Sequence, residues 1–77
     1  MHADAILADM ARPCVEAFLT AAGTAVVRYV DDFLLAGYDS NAVLAKLTER
    51  DLDAIGVTLA GHRKLILLQS KALNHQS

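Results

Sequence analysis

The sequence predicts an all-α fold, a compact five-helix bundle closed by one long C-terminal helix. Three observations carry this expectation. Apolar residues recur at three- and four-residue spacing through most of the chain. No stretch alternates apolar and polar residues in the manner of a strand, and the pair Val26–Val27 is too short to make one. Breakers are sparse: one proline, at position 13, and glycines at 23, 37, 56 and 61.

Ile6, Leu7 and Met10 sit at helical spacing, so residues 1–12 read as a short leading helix or N-terminal arm. Pro13 suits the first turn of the next helix, where its missing N–H costs nothing. That first helix runs through CVEAFLTAA, with Val15, Phe18, Leu19 and Ala22 on one face, and Gly23 stops it. The second, VVRYVDDFLLA, aligns Val26, Tyr29, Val30, Phe33 and Leu34, turns Asp31 and Asp32 outward and ends at Gly37. The third, within DSNAVLAKL, takes Asp39 or Ser40 as its cap and points Val43, Leu44 and Leu47 inward. The fourth, TERDLDAIG, opens on Thr48 with Asp51 three residues on, a capping box with Asp in the Glu position, and Gly56 closes it. Thr58 is expected to cap the last helix, which runs to about Leu73 with Leu65, Ile66, Leu68, Ala72 and Leu73 largely buried, before a polar tail that frays. The domain is expected over residues 13–74, with 75–77 as tail. Helices this short are unstable alone, so each must bury apolar residues against the last one. The expected core is Phe18, Leu19, Tyr29, Phe33, Leu44, Leu47, Leu52, Ile55, Leu65 and Ile66.

Composition narrows the functional classes. A chain of 77 residues is one domain and buries only about 60% of its unfolded surface, which leaves little volume for a deep substrate pocket. A hydrophobic content of 55% opposes disorder, and a net charge of −2 gives no general attraction to nucleic acid or an anionic membrane. Cys14 is the one cysteine, so no internal disulfide is expected, and it reads as a packing residue. No apolar run approaches the ~18 residues of a membrane span. The amino end lacks the basic start and apolar block of a secretory signal. A cytoplasmic setting fits best, with a nuclear one compatible. His2, His62 and His75 are scattered, and no C-x-x-C, H-E-x-x-H or phosphate-binding loop is present. Neither an enzyme, nor a metal site, nor a cofactor is expected.

The run from Tyr29 to Leu67, YVDDFLLAGYDSNAVLAKLTERDLDAIGVTLAGHRKLIL, resembles the sterile alpha motif, or SAM, domain. The matching positions are Tyr29, Phe33, Gly37, Tyr38, Leu44, Leu47, Thr48, Asp51, Leu52, Gly56, Val57, Gly61, His62 and Arg63. The stretch GVTLAGH is also similar to the SAM domains of Eph receptors and of scaffold proteins. The resemblance implies the five-helix fold and a signalling or scaffold interaction module that binds another SAM domain, homotypic or heterotypic, as a homo-oligomer or head-to-tail polymer. It further implies an end-helix face at the start of helix five, here Leu59, Gly61, His62, Arg63 and Lys64. The complementary mid-loop face is Tyr38, Asp39, Glu49, Asp51 and Asp53, with Asp31 and Asp32 nearby and Lys46 and Arg50 diluting its charge.

The basic cluster has a physical oddity. A helix amino end carries partial positive charge, and exposed cations there are unfavourable by about 0.3–1 kcal/mol each. An acidic partner would relieve that cost, and Gly61 would let it approach the first-turn N–H groups. His62 is expected to have a partly structural role at the helix start. Arg63 and Lys64 are expected to be exposed, so reversing both charges should leave the fold intact. The alternative is RNA stem-loop binding through Arg63 and Lys64 with Arg28 and Lys71 nearby, a thin set for contacts to phosphate.

Overall fold

A computed structural model describes residues 2–76, with side chains described over residues 11–75. Five α-helices follow in order: α1 His2–Ala22, α2 Val30–Leu35, α3 Asn41–Leu44, α4 Glu49–Ile55 and α5 Ala60–Gln76. A 3-10 turn, Thr24–Tyr29, leads into α2. No strand occurs among the described residues.

The predicted break before Pro13 is absent, because α1 is one helix with Pro13 inside it. Proline removes one helical hydrogen bond, but alanine, the strongest helix former, recurs on its N-terminal side at 3, 5, 8 and 11. The side chains of Ile6, Leu7 and Met10 lie outside those described. The second predicted helix is divided: Val26 to Tyr29 form the 3-10 turn and only Val30 onward is α-helical. The tail expected to fray is helical to Gln76, since no glycine or proline follows Gly61 to stop it.

Two punctuation signals act as expected. Thr48 and Asp51 form the reciprocal capping box of α4, and Gly56 ends that helix in the left-handed conformation, φ 100°. At Gly23 the reason is space as well as backbone. A Cβ there would lie 3.2 Å from a Leu65 methyl, so the turn after α1 closes tightly onto α5 only because Gly23 has no side chain.

The core gathers Val15, Phe18 and Leu19 of α1, Val26 and Tyr29 of the turn, Val30 and Phe33 of α2, and Leu44 of α3. Leu47, Leu52, Ile55, Val57 and Ile66 complete it. Four inward assignments fail. Leu65 is 37% exposed, Leu68 59% and Val43 39%, and Ala72 is exposed too. The buried arc of α5 runs through Ile66 and Ser70, with His62, Gln69 and Leu73 half-buried, so Leu65 and Leu68 fall one step round the helix from it.

Ser70 is buried and joins α5 to the far side of the bundle. The Leu47 N–H donates to its Oγ (3.0 Å), and that hydroxyl donates to the Leu44 carbonyl (2.6 Å). It thereby satisfies two backbone groups at and just past the end of α3, which otherwise carry an unpaired-group penalty. Its two bonds hold the middle of α5 against the segment leading into α4.

Candidate partner-binding surface

α5 begins at Ala60, and the Arg63 N–H donates to the Leu59 carbonyl (3.0 Å). Leu59 therefore holds the cap position expected for Thr58, which lies one residue outside. Successive helical residues point about 100° apart, so His62, Arg63 and Lys64 cannot share one direction. His62 and Arg63 turn inward, while Lys64 is exposed.

His62 meets the turn before α2. Its Nδ1 shares a hydrogen bond with the Tyr29 hydroxyl (2.5 Å), and the two rings meet edge to face with centroids 5.4 Å apart. The Arg28 guanidinium lies 5.7 Å from the Tyr29 ring centre, within cation–π range. The structural role expected for His62 is thus visible, with Tyr29 as its partner.

Arg63 overturns the expectation of exposure: its side chain is only 17% exposed. Its Nε and one terminal nitrogen donate to the Glu49 carboxylate (2.9 and 2.8 Å). The same terminal nitrogen donates to the Glu49 carbonyl (2.9 Å), and the other donates to the Val57 carbonyl (2.7 Å). That second nitrogen also pairs with Asp53 (2.8 Å). The rigid guanidinium fork thereby joins the start and the middle of α4 to the segment after it. Glu49 and Asp53 hold the Arg63 pKa above its ordinary value, Glu49 contributing most. One residue of the predicted basic face and two of the predicted acidic face are therefore bonded to each other within the molecule. Reversing Arg63 would set a carboxylate against two others, so exposure no longer supports the expectation that this substitution leaves the fold intact. Sequence could not show this, because Glu49 and Asp53 lie fourteen and ten positions before Arg63.

Asp51 is similarly engaged. Its Oδ2 accepts from the Thr48 N–H (2.8 Å) and hydroxyl (2.9 Å), while its own N–H donates to Thr48 Oγ1 (3.2 Å). Its Oδ1 accepts from the Tyr38 hydroxyl (2.6 Å). Tyr38 is held in place by an edge-on ring contact with Phe33, centroids 6.4 Å apart. The Tyr38 bond holds the Asp51 carboxyl below its ordinary value, against a smaller opposing effect of burial, and the two Thr48 bonds lower it further by less. The same bond raises the Tyr38 phenol. Asp31 pairs with Arg12 of α1 (2.6 Å). Asp39 is exposed, with no ion pair or side-chain hydrogen bond among the described residues.

The surface thus has two unequal parts. At the start of α5, Leu59 is 54% exposed, Gly61 leaves open space where a side chain would stand, and Lys64 points to solvent. On the other part a shallow hollow is lined by Tyr38, Val43, Lys46 and Asp51, with Asp39 beside Tyr38 in sequence. Lys46 lines the hollow, and both it and Arg50 are exposed.

The family described as SAM domain (Sterile alpha motif) matches residues 12–74 of this chain. Ephrin type-B receptor 1 of Gallus gallus is 47% identical over 49 residues, covering 64% of this chain and 5% of the receptor. Ephrin type-B receptor 4a of Danio rerio is 44% identical over 50 residues, 65% of this chain and 5% of the receptor. Ephrin type-B receptor 3 of Homo sapiens is 52% identical over 40 residues, 52% of this chain and 4% of the receptor. The chain therefore spans about one-twentieth of the length of these curated relatives. No solved structure matches it. No helix among the described residues is long and apolar enough to cross a membrane.

Proposed function

The chain belongs to the sterile alpha motif family, whose members are protein–protein interaction modules, and on that premise we propose that it binds another SAM domain head to tail. The start of α5 on one molecule would meet the turn region between α2 and α4 on the next. In this reading Leu59, Gly61 and Lys64 touch the partner directly, while His62 and Arg63 hold the surface in shape from beneath. On the opposite face Asp39 and the edge of Tyr38 make the contact, backed by Glu49, Asp51 and Asp53. The observation that carries the reading is Leu59. It is a large apolar side chain left more than half exposed at the mouth of a helix, next to a glycine with open space around it.

The charges are few, so steering is modest and the apolar contact carries most of the affinity. With one free acid against one free lysine, the contact gives a weak association whose size depends on concentration. A heterotypic partner with a more acidic turn region would bind more tightly than a second copy. A cytoplasmic, signalling or scaffold setting belongs to the same proposal, and it draws on a fold that uses no disulfide. RNA binding is disfavoured because Arg63 is committed to Glu49 and Asp53, and Arg28 lies against Tyr29.

Sedimentation of the chain over a range of concentrations, alone and with a candidate SAM partner, tests the proposal. Association should weaken in Leu59→Ser and in Lys64→Glu with no loss of helicity. A wild-type chain that stays monomeric, binds no SAM domain and shifts an RNA stem-loop in a salt-sensitive manner would reject it.

A further inference from the structure

We infer that the outward face of α5 is a second docking surface, one that accepts an acidic amphipathic helix from a partner protein. This goes beyond the SAM-to-SAM contact proposed above and shares only Lys64 with it. A groove of about 390 Å³ runs along α5 beside the start of α4, with Ala60, Leu67 and Leu68 among its lining residues. Lys64 and Lys71 stand along it. Leu68 is 59% exposed, an uncovered leucine between two cations. Positions 64, 68 and 71 share one helical face, because they lie four and three residues apart. Neither lysine has an ion pair among the described residues. The other charges lining the groove, Glu49 and Arg63, are paired with each other at 2.8 Å, and Arg63 with Asp53 as well, so the two lysines are the unpaired charges along it.

This arrangement specifies its occupant. Lys64 and Lys71 are seven residues apart, about 10.5 Å along the helix axis at 1.5 Å per residue. A partner helix packed alongside would answer them with carboxylates at positions i and i+7, and would place an apolar residue at i+3 or i+4 against Leu68. Helices in such contact lie about 8–10 Å apart, close enough for that side chain to enter the groove. A second copy of this chain does not meet the pattern. The only acids seven apart within one of its helices are Asp9 and Glu16, and the residues between them at i+3 and i+4 are Arg12 and Pro13. An anionic membrane fits less well, since lipid-binding surfaces gather about 4–8 basic residues and this face offers two lysines on a chain of net charge −2.

The test uses a synthetic helical peptide with glutamates at i and i+7 and leucines at i+3 and i+4, beside a scrambled peptide of equal composition. Titration into the isotope-labelled chain should shift the amide resonances of Lys64, Leu67, Leu68 and Lys71, and the scrambled peptide should not. The Lys64→Glu, Lys71→Glu double variant should weaken binding by about tenfold or more, equivalent to about 1.4 kcal/mol, with its circular dichroism unchanged. Leu68→Ser should weaken it comparably. Lys71→Glu alone should leave binding to a SAM partner at the start of α5 unaltered, which separates the two surfaces. The inference fails if the scrambled peptide binds equally, if the shifts map elsewhere, or if no binding occurs. It also fails if vesicles of anionic phospholipid or an RNA stem-loop engage the two lysines while the peptide does not.

Discussion

The inward and outward sides of α5 carry similar residue types and serve different ends. Inward, Ile66 and Ser70 are buried and Arg63 and His62 are bonded to α4 and to Tyr29. Outward, Lys64, Leu68 and Lys71 face solvent along two turns. A cation near a helix start is thus no guide to docking by itself. Its angle around the helix axis decides whether it becomes a seam between helices or a surface for another molecule. The apparent electrostatic cost of the basic cluster also shrinks, since Arg63 is met by two carboxylates within its own fold.

The comparison breaks most sharply at Ile66. Ile66→Ala should destabilise the domain by about 2–5 kcal/mol, a large share of the ~5–15 kcal/mol that holds a typical domain together. Leu68→Ala, two residues along and on the other side, should change stability by no more than ~0.5 kcal/mol. Urea denaturation of both variants reads the contrast directly. Ser70→Ala comes next. It strands the Leu47 N–H and the Leu44 carbonyl, and should cost about 1–3 kcal/mol although only one oxygen is lost. A loss within measurement error would mean that water replaces the hydroxyl.

The Tyr38–Asp51 bond should be visible as pH dependence. The folded Asp51 pKa lies below its ordinary 3.8, so its stabilisation is present above that value and is lost as pH falls through the folded pKa. The folded Tyr38 pKa lies above its ordinary 10.0, so its share is present below that value and is lost as pH rises through the folded pKa. Tyr38→Phe should remove the alkaline limb of the stability profile and flatten the acid limb, which Thr48 still supports in part. An unchanged profile at both ends would show that the bond contributes nothing. Smallest of all is the outward pair: Lys64→Glu with Lys71→Glu should leave the thermal midpoint nearly where it was, within ~0.5 kcal/mol of stability.

Local features were legible in the sequence. Thr48 with Asp51 and the turn at Gly56 each involve residues within a few positions of one another, and both stand as read. Most core positions were legible too, since Phe18, Phe33, Leu52 and Ile66 recur at helical spacing. The edges of the buried arc were not. Leu65 and Ile66 are neighbours on the helix, and only the packing of the other elements around α5 decides which of them is covered. Ser70 gave no signal, because a serine in an apolar helix reads the same whether it faces water or bridges two backbone groups. Pro13 misled for the opposite reason: it resembled a helix start, while the alanine-rich residues before it extend the helix. The SAM resemblance implied which segments would meet a partner, but gave no sign that Arg63 is bonded to Glu49 and Asp53.

That last contact is the centre of the account, and charge reversal tests it most directly. Thermal melts would compare the wild-type chain, Arg63→Glu, Lys64→Glu, and Arg63→Glu combined with Glu49→Lys and Asp53→Lys. Arg63→Glu should lower the midpoint clearly, Lys64→Glu should not, and the triple variant should recover a substantial part of the loss by rebuilding the pairs with opposite sign. If Arg63→Glu melts with the wild type and only weakens binding to a SAM partner, Arg63 is a docking residue and the seam between α4 and α5 does not depend on it.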